Sequence, residues 1–413
     1  MKIYKFGGAS VKDAGSVKNV AMVLESQDFN ECLLVISAMG KTTNELEIVV
    51  EKYFNKENYQ SEIEKVKQKH IEIAQGLFNE DHEVFSEINV FFDDIDSFLR
   101  RNKSPNYSFV YDQVVSCGEM ISTKIVSDYL NSIQFSNQWL DARDYIKTDD
   151  NYREGLVNWK KTEELISNLD QKLCYVTQGF IGSDENNFTV TLGREGSDYT
   201  AGIFAYCMNA DSVTIWKDVP GVMTGDPRKF DDVVLLSNIS YEEAIEMAYY
   251  GASVIHPKTL QPLKQKKIPF FVKSFVDPTE PGTQICQSDL NQKMESYILK
   301  ENQVLMKIST RDFSFIAEDH MSRIFNNLAT YHIKVSLMQN SAISLGLCLE
   351  DKYNNIDELV QKLNDDFKIE ITKNVSLFTV RNADVEHLEK FYEGRNVLYE
   401  QLSQQTLQMV VSN

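Results

Sequence analysis

The feature that most restricts the fold is an alternation of short apolar runs with helical patterns. Residues 3–6 form a β-rich run that ends at Gly7-Gly8, and the apolar run at 32–37 leads into a helix that we expect Thr43 to cap. Further strand-like runs lie at 135–140, 173–181, 212–216 and 269–275. Apolar strands separated by helices predict an α/β fold with a mainly parallel sheet sandwiched by helices.

Two stretches interrupt this alternation. Residues 55–103 are charged and helical in period, which predicts a helical insertion, and a further helix is expected over 112–130. The segment 277–283 contains two prolines and a glycine. We therefore expect the strand at 269–275 to be the last of the sheet, and the polar stretch up to Ser296 to form a domain boundary.

The pattern changes beyond this boundary. It predicts a strand at 304–308, a helix at 317–328, strands at 335–338 and 343–349, a helix at 356–363, and then a strand, a helix and a strand up to residue 411. This order predicts two β-α-β-β-like units in a compact α+β region. The chain of 413 residues is long enough for two or three domains.

Charge and cysteine content exclude several classes of protein. The 42 Lys and Arg residues against 61 Asp and Glu residues give a net charge of −19, which disfavours binding to nucleic acid or to an anionic membrane. The six cysteines form no C-x-x-C pair, and the sequence shows neither a secretion signal nor a membrane span. We therefore expect a cytoplasmic protein with no nucleic-acid or membrane partner and no dedicated metal site.

Two glycine-containing segments can bind anions. In KFGGAS, Lys5 lies on a strand that ends in two glycines, so an ammonium and backbone N–H groups can converge on phosphate oxygens. Taken alone, a Gly-Gly turn between a strand and a helix is more often purely structural. In TLGREGSDYTA, at 191–201, Arg194, Ser197 and Asp198 crowd the turn before a helix. A helix cap explains one polar residue there, whereas an arginine beside two glycines favours binding of a carboxylate or phosphate. Neither a Walker A loop nor G-x-G-x-x-G occurs.

Three other positions leave alternatives open. WKDVPGVMTGDPR, at 216–228, follows an apolar strand, so Lys217, Asp218 and Arg228 lie where open α/β sheets bind ligands, although a turn-rich surface hairpin is the alternative. Glu119 in SCGEM is either a solvated residue or a group that binds an amine. His256 accompanies no nucleophile, which favours a packing or capping role.

Taken together, these segments resemble the aspartokinases, enzymes of the amino-acid-kinase fold. KFGGAS at 5–10, SCGE at 116–119, TQGFIGS with TLGREGSDYTA at 177–201 and WKDVPGVMTGDPR at 216–228 match in order, and GASVIHPKTL and PFFVKSF extend the match. The resemblance implies a catalytic domain at 1–285 and tandem ACT-like regulatory units at 298–413, the second of them short. It also implies a monofunctional enzyme, since the dinucleotide fingerprint of a fused homoserine dehydrogenase is missing.

The implied activity is the ATP-dependent phosphorylation of the β-carboxylate of L-aspartate to 4-phospho-L-aspartate, the first step towards lysine, threonine and methionine. The implied catalytic residues are Lys5, Arg194 and Asp198. The implied aspartate-binding residues are Ser37, Thr43, Glu119, Phe180, Arg194, Ser197 and Asp198. The implied binding residues for ATP, which carries Mg²⁺, are Lys5, Gly7, Gly8, Lys217, Asp218, Met223, Arg228 and Ser253. An amino-acid effector would bind at Lys334, Val335, Ser336, Asn340 and Ser341.

The chain departs from the family pattern at several of these positions. Glu195 replaces a common glycine, Lys217 a common threonine, and Ser253 a lysine that helps to hold the nucleotide. In the tail, Ser336 replaces an aspartate that binds a cationic inhibitor, and Lys334 is expected on the same side of the strand. We therefore expect weak inhibition by lysine, with the ACT-like tail still forming a homodimer or a higher oligomer.

Two other functions fit the same sequence. One is a kinase that acts on another small carboxylate, such as glutamate or an acetylated amino acid. The other is a sensor that binds an amino acid and a nucleotide without turnover, a hypothesis that Glu195 and Ser253 motivate. The set of Lys5, Arg194 and Asp198 favours the aspartate kinase over the sensor.

Overall fold

The computed structural model describes residues 1–27, 31–252, 255–287, 294–312 and 314–412. The described chain divides into two compact units. The first comprises segments within 1–222, 235–245 and 255–287, and the second comprises segments within 223–234, 246–252 and 294–412. None of the described helices is long and apolar enough to cross a membrane.

The first unit is built on a mainly parallel sheet. The strands of this sheet are β1 Lys2–Phe6, β2 Cys32–Ile36, β3 Gln138–Leu140, β4 Tyr175–Gln178, β7 Ser212–Lys217, β8 Asn238–Ser240, β9 Phe270–Ser274 and β10 Thr283–Cys286. Two further strands, β5 Ile181–Ser183 and β6 Thr189–Thr191, form a separate hairpin. Within the described residues the sheet has the order β3-β4-β2-β1-β7-β9-β10-β8, and only the β9–β10 pair is antiparallel. The predicted α/β class is confirmed.

Helices flank this sheet. They are α1 Ala14–Glu25, α2 Thr42–Phe54, α3 Gln60–Gln75, α4 Val84–Arg101, α5 Tyr107–Ser132, α6 Ala142–Tyr145, α7 Trp159–Ile166, α8 Gly196–Met208 and α10 Pro257–Lys266. The residues of α9, Tyr241–Tyr250, are divided between the two units. Both α5 and α8 pack against the sheet, and α3 and α4 form the helical insertion that the charged stretch predicts. His256 caps α10 by accepting a hydrogen bond from the Lys258 N–H, in agreement with its predicted capping role.

The centre of the sheet is fixed by strands that are buried on both faces. All five residues of β2 are buried, as are the last four of β1. β1 pairs in parallel with both β2 and β7, so Lys5 lies opposite Val35 on one side and Ile215 on the other. The rings of Phe6 and Trp216 stack across the strands with centroids 6.0 Å apart. This register brings the carboxyl ends of three strands to one edge, where loops bearing polar residues begin.

Several predicted boundaries are wrong. α2 begins at Thr42, and the hydroxyl that bonds the preceding turn is that of Thr42, which donates to the Met39 carbonyl, so Thr43 does not cap the helix. α5 begins at Tyr107, where Asn106 caps it by accepting a hydrogen bond from the Phe109 N–H.

Sheet pairing also continues past the turn at 277–283, where we expected it to end. β10 pairs with β9 and β8, because Gly282 adopts a φ of +73° that reverses the chain and returns it to the sheet. Residues 288–293 of the predicted boundary lie outside the described residues. The strand predicted at 304–308 begins eight residues earlier, at Ser296.

The second unit is built on an antiparallel sheet. Its elements are β11 Ser296–Thr310, α11 Glu318–Thr330, β12 Lys334–Asn340, β13 Ser344–Glu350, α12 Ile356–Leu363, β14 Phe367–Arg381, β15 Asn396–Ser403 and β16 Thr406–Ser412. Within the described residues the strand order is β12-β13-β11-β14-β16-β15. A short 3-10 helix, Leu388–Phe391, stands where the last predicted helix was expected. The limits predicted for the domains, 1–285 and 298–413, stay a prediction.

The five predicted effector residues lie on β12 and in the hairpin turn that follows it. A β-bulge between Val335 and Leu337 interrupts the alternation of side chains, so the expectation that Lys334 and Ser336 share one side of a regular strand is wrong. The Ser336 hydroxyl donates to the Gln303 side chain at 3.2 Å. Asn340 pairs with Leu345, and the Ser341 and Ser344 hydroxyls lie 2.7 Å apart.

Candidate active site

A buried carboxylate with two ammonium partners lies at the carboxyl edge of the parallel sheet. The Nζ atom of Lys5, on β1, is 2.6 Å from Oδ1 of Asp198, in the first turn of α8. The Nζ atom of Lys217, the last residue of β7, is 3.4 Å from Oδ2 of the same carboxylate. Because β1 and β7 are neighbours in the sheet, their side chains reach one helix start.

The turns that follow β1 and β2 pack closely on each other. The Gly40 N–H donates to the Gly8 carbonyl at 3.0 Å. A Cβ atom at Gly8 would lie 2.7 Å from the Ala38 carbonyl oxygen and 2.8 Å from that of Gly40, so no larger residue fits there. A Cβ atom at Gly7 would lie 3.4 Å from the Lys5 Nζ atom. Gly8 is therefore required by this packing, and the backbone of Gly7 and Gly8 stays partly exposed beside Lys5, where a ligand can reach it.

The start of α8 is held by the chain that follows β4. The Phe180 N–H donates to the Thr200 hydroxyl at 2.9 Å, and the Leu192 N–H donates to the Phe180 carbonyl at 2.8 Å. Ser197 is buried in the first turn of the helix. These bonds fix the helix start that carries Asp198.

Glu195 shows why a glycine is common at its position. Its φ of +53° is left-handed, which costs a residue with a Cβ atom roughly 1–2 kcal/mol. Burial raises the pKa of the Glu195 carboxyl, and Lys217 lowers it in part. The two departures from the family pattern, Glu195 and Lys217, are therefore within electrostatic range of each other.

Asp198 is an ionised anchor for the two lysines. Burial by itself would raise the pKa of this carboxyl, but Lys5 and Lys217 outweigh burial and hold the pKa below its ordinary value. A buried ion pair of this kind is costly to desolvate and is weak evidence for stability. Its presence at a strand end therefore points to a function.

Glu119 provides a second buried carboxyl, on α5. Burial raises the pKa of Glu119 to about 8, although the Ala38 N–H, which donates to it, and the charge of Lys5 both lower it. Within the described part of the chain, its Oε2 atom has no hydrogen-bond partner. Ser37 follows β2 and precedes Ala38, and its carbonyl accepts a hydrogen bond from the Ser122 hydroxyl on α5 at 2.7 Å. A buried carboxyl that lacks one partner is suited to bind an amine.

Other predicted site residues are exposed or only partly buried. Arg194 is exposed in the turn before α8, and Asp218 is exposed directly after β7. Thr43 is partly buried in the first turn of α2. Exposed polar groups at such a helix start or strand end are accessible to a ligand.

Three residues predicted to contact the nucleotide are not among the described residues that the structure brings together around Asp198. Met223 and Arg228 belong to the 223–234 segment of the second unit, where the Arg228 guanidinium forms an ion pair with Asp226 at 2.7 Å. Ser253 lies outside the described residues. The nucleotide roles of these residues stay predictions.

One buried carboxylate was missed by the sequence reasoning. Asp112 is fully buried on α5 and accepts hydrogen bonds from the backbone of Arg153 and from Thr191. Burial raises its pKa to about 6, and these hydrogen bonds lower it in part. A signal was available, because Asp112 precedes Glu119 by seven residues, which places both on one face of a helix.

The site therefore combines cationic and anionic side chains. Lys5 and Lys217 can neutralise phosphate oxygens, and the backbone at Gly7-Gly8 can approach them. Glu119 can bind an ammonium group, and Arg194 can bind a carboxylate through its planar fork. This arrangement suits phosphoryl transfer to an amino acid, which depends on positioning and charge neutralisation.

Comparisons with known proteins agree with this chemistry. The model of the amino acid kinase family matches residues 1–274. The lysine-sensitive aspartokinase 3 of Escherichia coli (strain K12) is 32% identical over 354 residues, which cover 84% of this chain and 78% of the relative. A bifunctional aspartokinase/homoserine dehydrogenase of Daucus carota is 32% identical over 320 residues, which cover 72% of this chain and 34% of the relative.

Solved structures show the same relationship over the whole chain. The E. coli aspartokinase III structures, one in complex with lysine and aspartate and one with aspartate and ADP, each match with a TM-score of 0.84 and 27% identity. Each match covers 100% of this chain and 96% of the other. The chain belongs to the amino acid kinase family and, within it, to the aspartokinases.

Proposed function

We propose that this site transfers the γ-phosphoryl group of ATP to the β-carboxylate of L-aspartate, which gives 4-phospho-L-aspartate and ADP. The observation that carries the proposal is the pairing of Lys5 and Lys217 with Asp198, within electrostatic range of the buried Glu119. The E. coli relative that shares the fold has been solved with aspartate and ADP bound.

Glu119 and Arg194 would recognise the two ends of aspartate. The Oε2 atom of Glu119 lacks a partner among the described residues, and an ammonium group would satisfy it. Arg194 would bind a carboxylate through two parallel hydrogen bonds. Further contacts are proposed for residues at strand ends or helix starts around these groups, namely Ser37, Thr43, Phe180, Ser197 and Asp198.

Lys5 and Lys217 would act on the phosphates. Asp198 holds both ammonium groups at one helix start, so phosphate oxygens that approach there meet positive charge without rearrangement of the chain. Lys217 would supply charge that Ser253 does not. The remaining proposed nucleotide contacts are Gly7, Gly8, Asp218, Met223, Arg228 and Ser253.

Mg²⁺ is proposed to enter with the nucleotide. The described residues contain no group of three or more His, Cys, Asp or Glu side chains that could hold a metal ion by themselves. Asp198, however, is an ionised carboxylate at the phosphate end, and carboxylate oxygen is a ligand that Mg²⁺ prefers. When bound, the ion would neutralise charge on the phosphate oxygens.

The reaction needs charge neutralisation and positioning but no strong base. The β-carboxylate of aspartate is ionised at pH 7, so one of its oxygens can attack the γ-phosphorus directly while the bond from that phosphorus to the ADP oxygen breaks. Lys5 would stabilise the negative charge on the transferring group. Glu119 and Arg194 would hold the attacking carboxylate in line.

The two parts of the chain would have separate catalytic and regulatory roles. Residues 1–285 would form the catalytic domain, and residues 298–413 would form tandem ACT-like units that bind an amino-acid effector at 334–341 and join the chains as a homodimer or a higher oligomer. We further propose a cytoplasmic enzyme. An E. coli relative has been solved with lysine bound, which supports an amino-acid effector of this kind.

A coupled assay of ADP release tests the function. Turnover with L-aspartate that exceeds turnover with L-glutamate and N-acetyl-L-glutamate is expected, and Lys5→Met should abolish most of it. Preferred turnover of another carboxylate would support a different kinase of the same fold. Saturable binding of aspartate and ATP without turnover would support a sensor.

A further inference from the structure

Asp112 connects α5 to the strand that precedes the Arg194 turn. Its Oδ2 atom accepts hydrogen bonds from the N–H groups of Arg153 and Thr191, each at 2.9 Å, and its Oδ1 atom accepts one from the Thr191 hydroxyl at 2.8 Å. Asp112 and Thr191 are both 0% exposed, so no water competes for these bonds. Thr191 is the last residue of β6, three residues before Arg194.

Side chains of α5 form hydrogen bonds with the edge of β6 that has no neighbouring strand among the described residues. In the described part of the chain, β6 pairs with β5 alone. Its other edge is met by Gln113, whose side-chain amide donates to the Thr189 carbonyl at 2.8 Å and accepts from the Thr189 N–H at 3.2 Å. Gln113 therefore holds the first residue of β6. Asp112 holds the last together with the Gly155 N–H, which donates to the Thr191 carbonyl at 2.9 Å, so the position of β6 depends in part on α5.

The same helix carries Glu119. Seven residues separate it from Asp112, which is two helical turns and places both side chains on one face about 10 Å apart along the axis. One rigid element thus bears the group assigned to the ammonium of aspartate and the group that holds the strand leading to Arg194.

We propose that Asp112 is a positioning residue that sets the spacing between Glu119 and Arg194, and through it the affinity for an amino acid of the length of aspartate. The inference rests on the proposed function. Asp112 touches no substrate and acts only through Thr191 and the backbone of the turn. Its loss therefore weakens binding of aspartate and leaves binding of ATP unchanged.

The experiment separates this role from a general loss of stability. Asp112→Leu removes all three hydrogen bonds and should raise the KM for aspartate roughly tenfold or more, since displacement of a binding group by about 1 Å has effects of this size or larger. The KM for ATP should stay within about twofold, because no ATP contact is assigned to the displaced strand. Asp112→Asn, whose carbonyl can still accept both N–H groups, should restore the KM to within about threefold of the unaltered enzyme.

Asp184 provides a matched control. It is 3% exposed, accepts hydrogen bonds from the N–H groups of Asn186 and Phe188 and from the Tyr152 hydroxyl, and stands at the opposite end of the β5–β6 hairpin. Asp184→Leu removes a comparable set of bonds and should lower the unfolding temperature without changing the KM for aspartate. Partial unfolding in either variant lowers the apparent kcat but leaves KM unchanged.

Two results would overturn the inference. One is an unchanged KM for aspartate in folded Asp112→Leu, and the other is an equal rise in KM in Asp184→Leu. If Asp112→Leu does not fold, Thr191→Val decides: it removes only the hydroxyl, and a rise in KM of about threefold is expected, while no rise overturns the inference. An unaltered protein that binds aspartate but does not phosphorylate it would overturn the proposed function instead.

Discussion

The parallel sheet of the first unit and the antiparallel sheet of the second unit hold charged side chains differently. The side chains of the Lys5–Asp198 ion pair are only 10% and 3% exposed, whereas those of the Lys373–Asp357 pair on the second unit are 46% and 68% exposed. A buried pair pays a desolvation penalty that an exposed pair avoids. A chain that retains the buried pair therefore uses its charges for something other than stability.

The two sheets also differ in where their polar residues lie. In the first unit, parallel strands end together, so residues after β1, β2 and β7 meet at one edge. In the second unit, neighbouring strands run in opposite directions, and the predicted effector residues are spread along an edge strand and its turn. Substitutions should therefore have large effects on activity in the first unit and small effects in the second.

The largest effect is expected for Lys5→Met. We expect kcat to decrease roughly 10²–10³-fold with little change in the KM for aspartate, because the ammonium acts on charge that develops in the transition state. Steady-state kinetics measure both values. Lys373→Met, which removes the lysine of the exposed Lys373–Asp357 pair, should leave kcat and the KM for aspartate unchanged. Loss of aspartate binding with an unaltered kcat would contradict the role of Lys5.

Arg194→Lys should have the next largest effect. An ammonium cannot reproduce the two parallel hydrogen bonds of a guanidinium with a carboxylate, so we expect a loss of about 1.5–3 kcal/mol in aspartate binding, or roughly tenfold to a hundredfold in KM. The KM for ATP should not change. The assignment fails if the KM for aspartate of Arg194→Lys matches that of the unaltered enzyme.

Glu119 should make aspartate binding dependent on pH. Only the ionised carboxylate pairs with an ammonium group, and its pKa of about 8 means that the ionised fraction rises with pH through this range. The KM for aspartate should therefore fall about fivefold between pH 7 and pH 8. Glu119→Gln should raise KM at pH 8 and remove this dependence. An equal slope in both proteins would show that another group titrates.

Lys217→Thr should have a smaller effect, confined to ATP. Removal of one of the two ammonium groups on Asp198 should raise the KM for ATP about three- to tenfold and leave the KM for aspartate unchanged. Glu195→Gly serves as the companion variant. It should raise the free energy of unfolding by about 1 kcal/mol, because glycine adopts the left-handed φ without strain. An unchanged KM for ATP in Lys217→Thr would exclude a phosphate contact.

The smallest effect on activity is expected from the addition of lysine as an inhibitor. Ser336 provides no negative charge for a cationic ligand, and its hydroxyl already donates to Gln303. We expect weak inhibition in a titration of lysine against activity, and Ser336→Asp should strengthen it by up to about tenfold. Asp319, in the first turn of α11, is another carboxylate that could substitute for the missing charge. Potent inhibition of the unaltered enzyme that survives Asp319→Asn would show that neither the missing charge at Ser336 nor Asp319 matters.

Local patterns in the sequence determined the class of fold and most of its elements. The apolar runs gave β1, β2 and β7, and the helix predicted at 356–363 has the observed bounds of α12. The glycine turns and the segment around Arg194 pointed to an anion site. These features depend on neighbouring residues, whose spacing along the chain is visible in the sequence.

Other features depend on contacts between distant residues, and only the tertiary structure decided them. Lys5 and Lys217 meet on Asp198 because β1 and β7 are adjacent in the sheet, although more than 200 residues separate these strands. The return of β10 to the sheet after 277–283 and the bulge at Ser336 likewise depend on partner strands. The burial of Asp112 and its bonds to Thr191 depend on where α5 packs. A pattern of residues predicts which face of an element is apolar, but not which strand or helix it will meet.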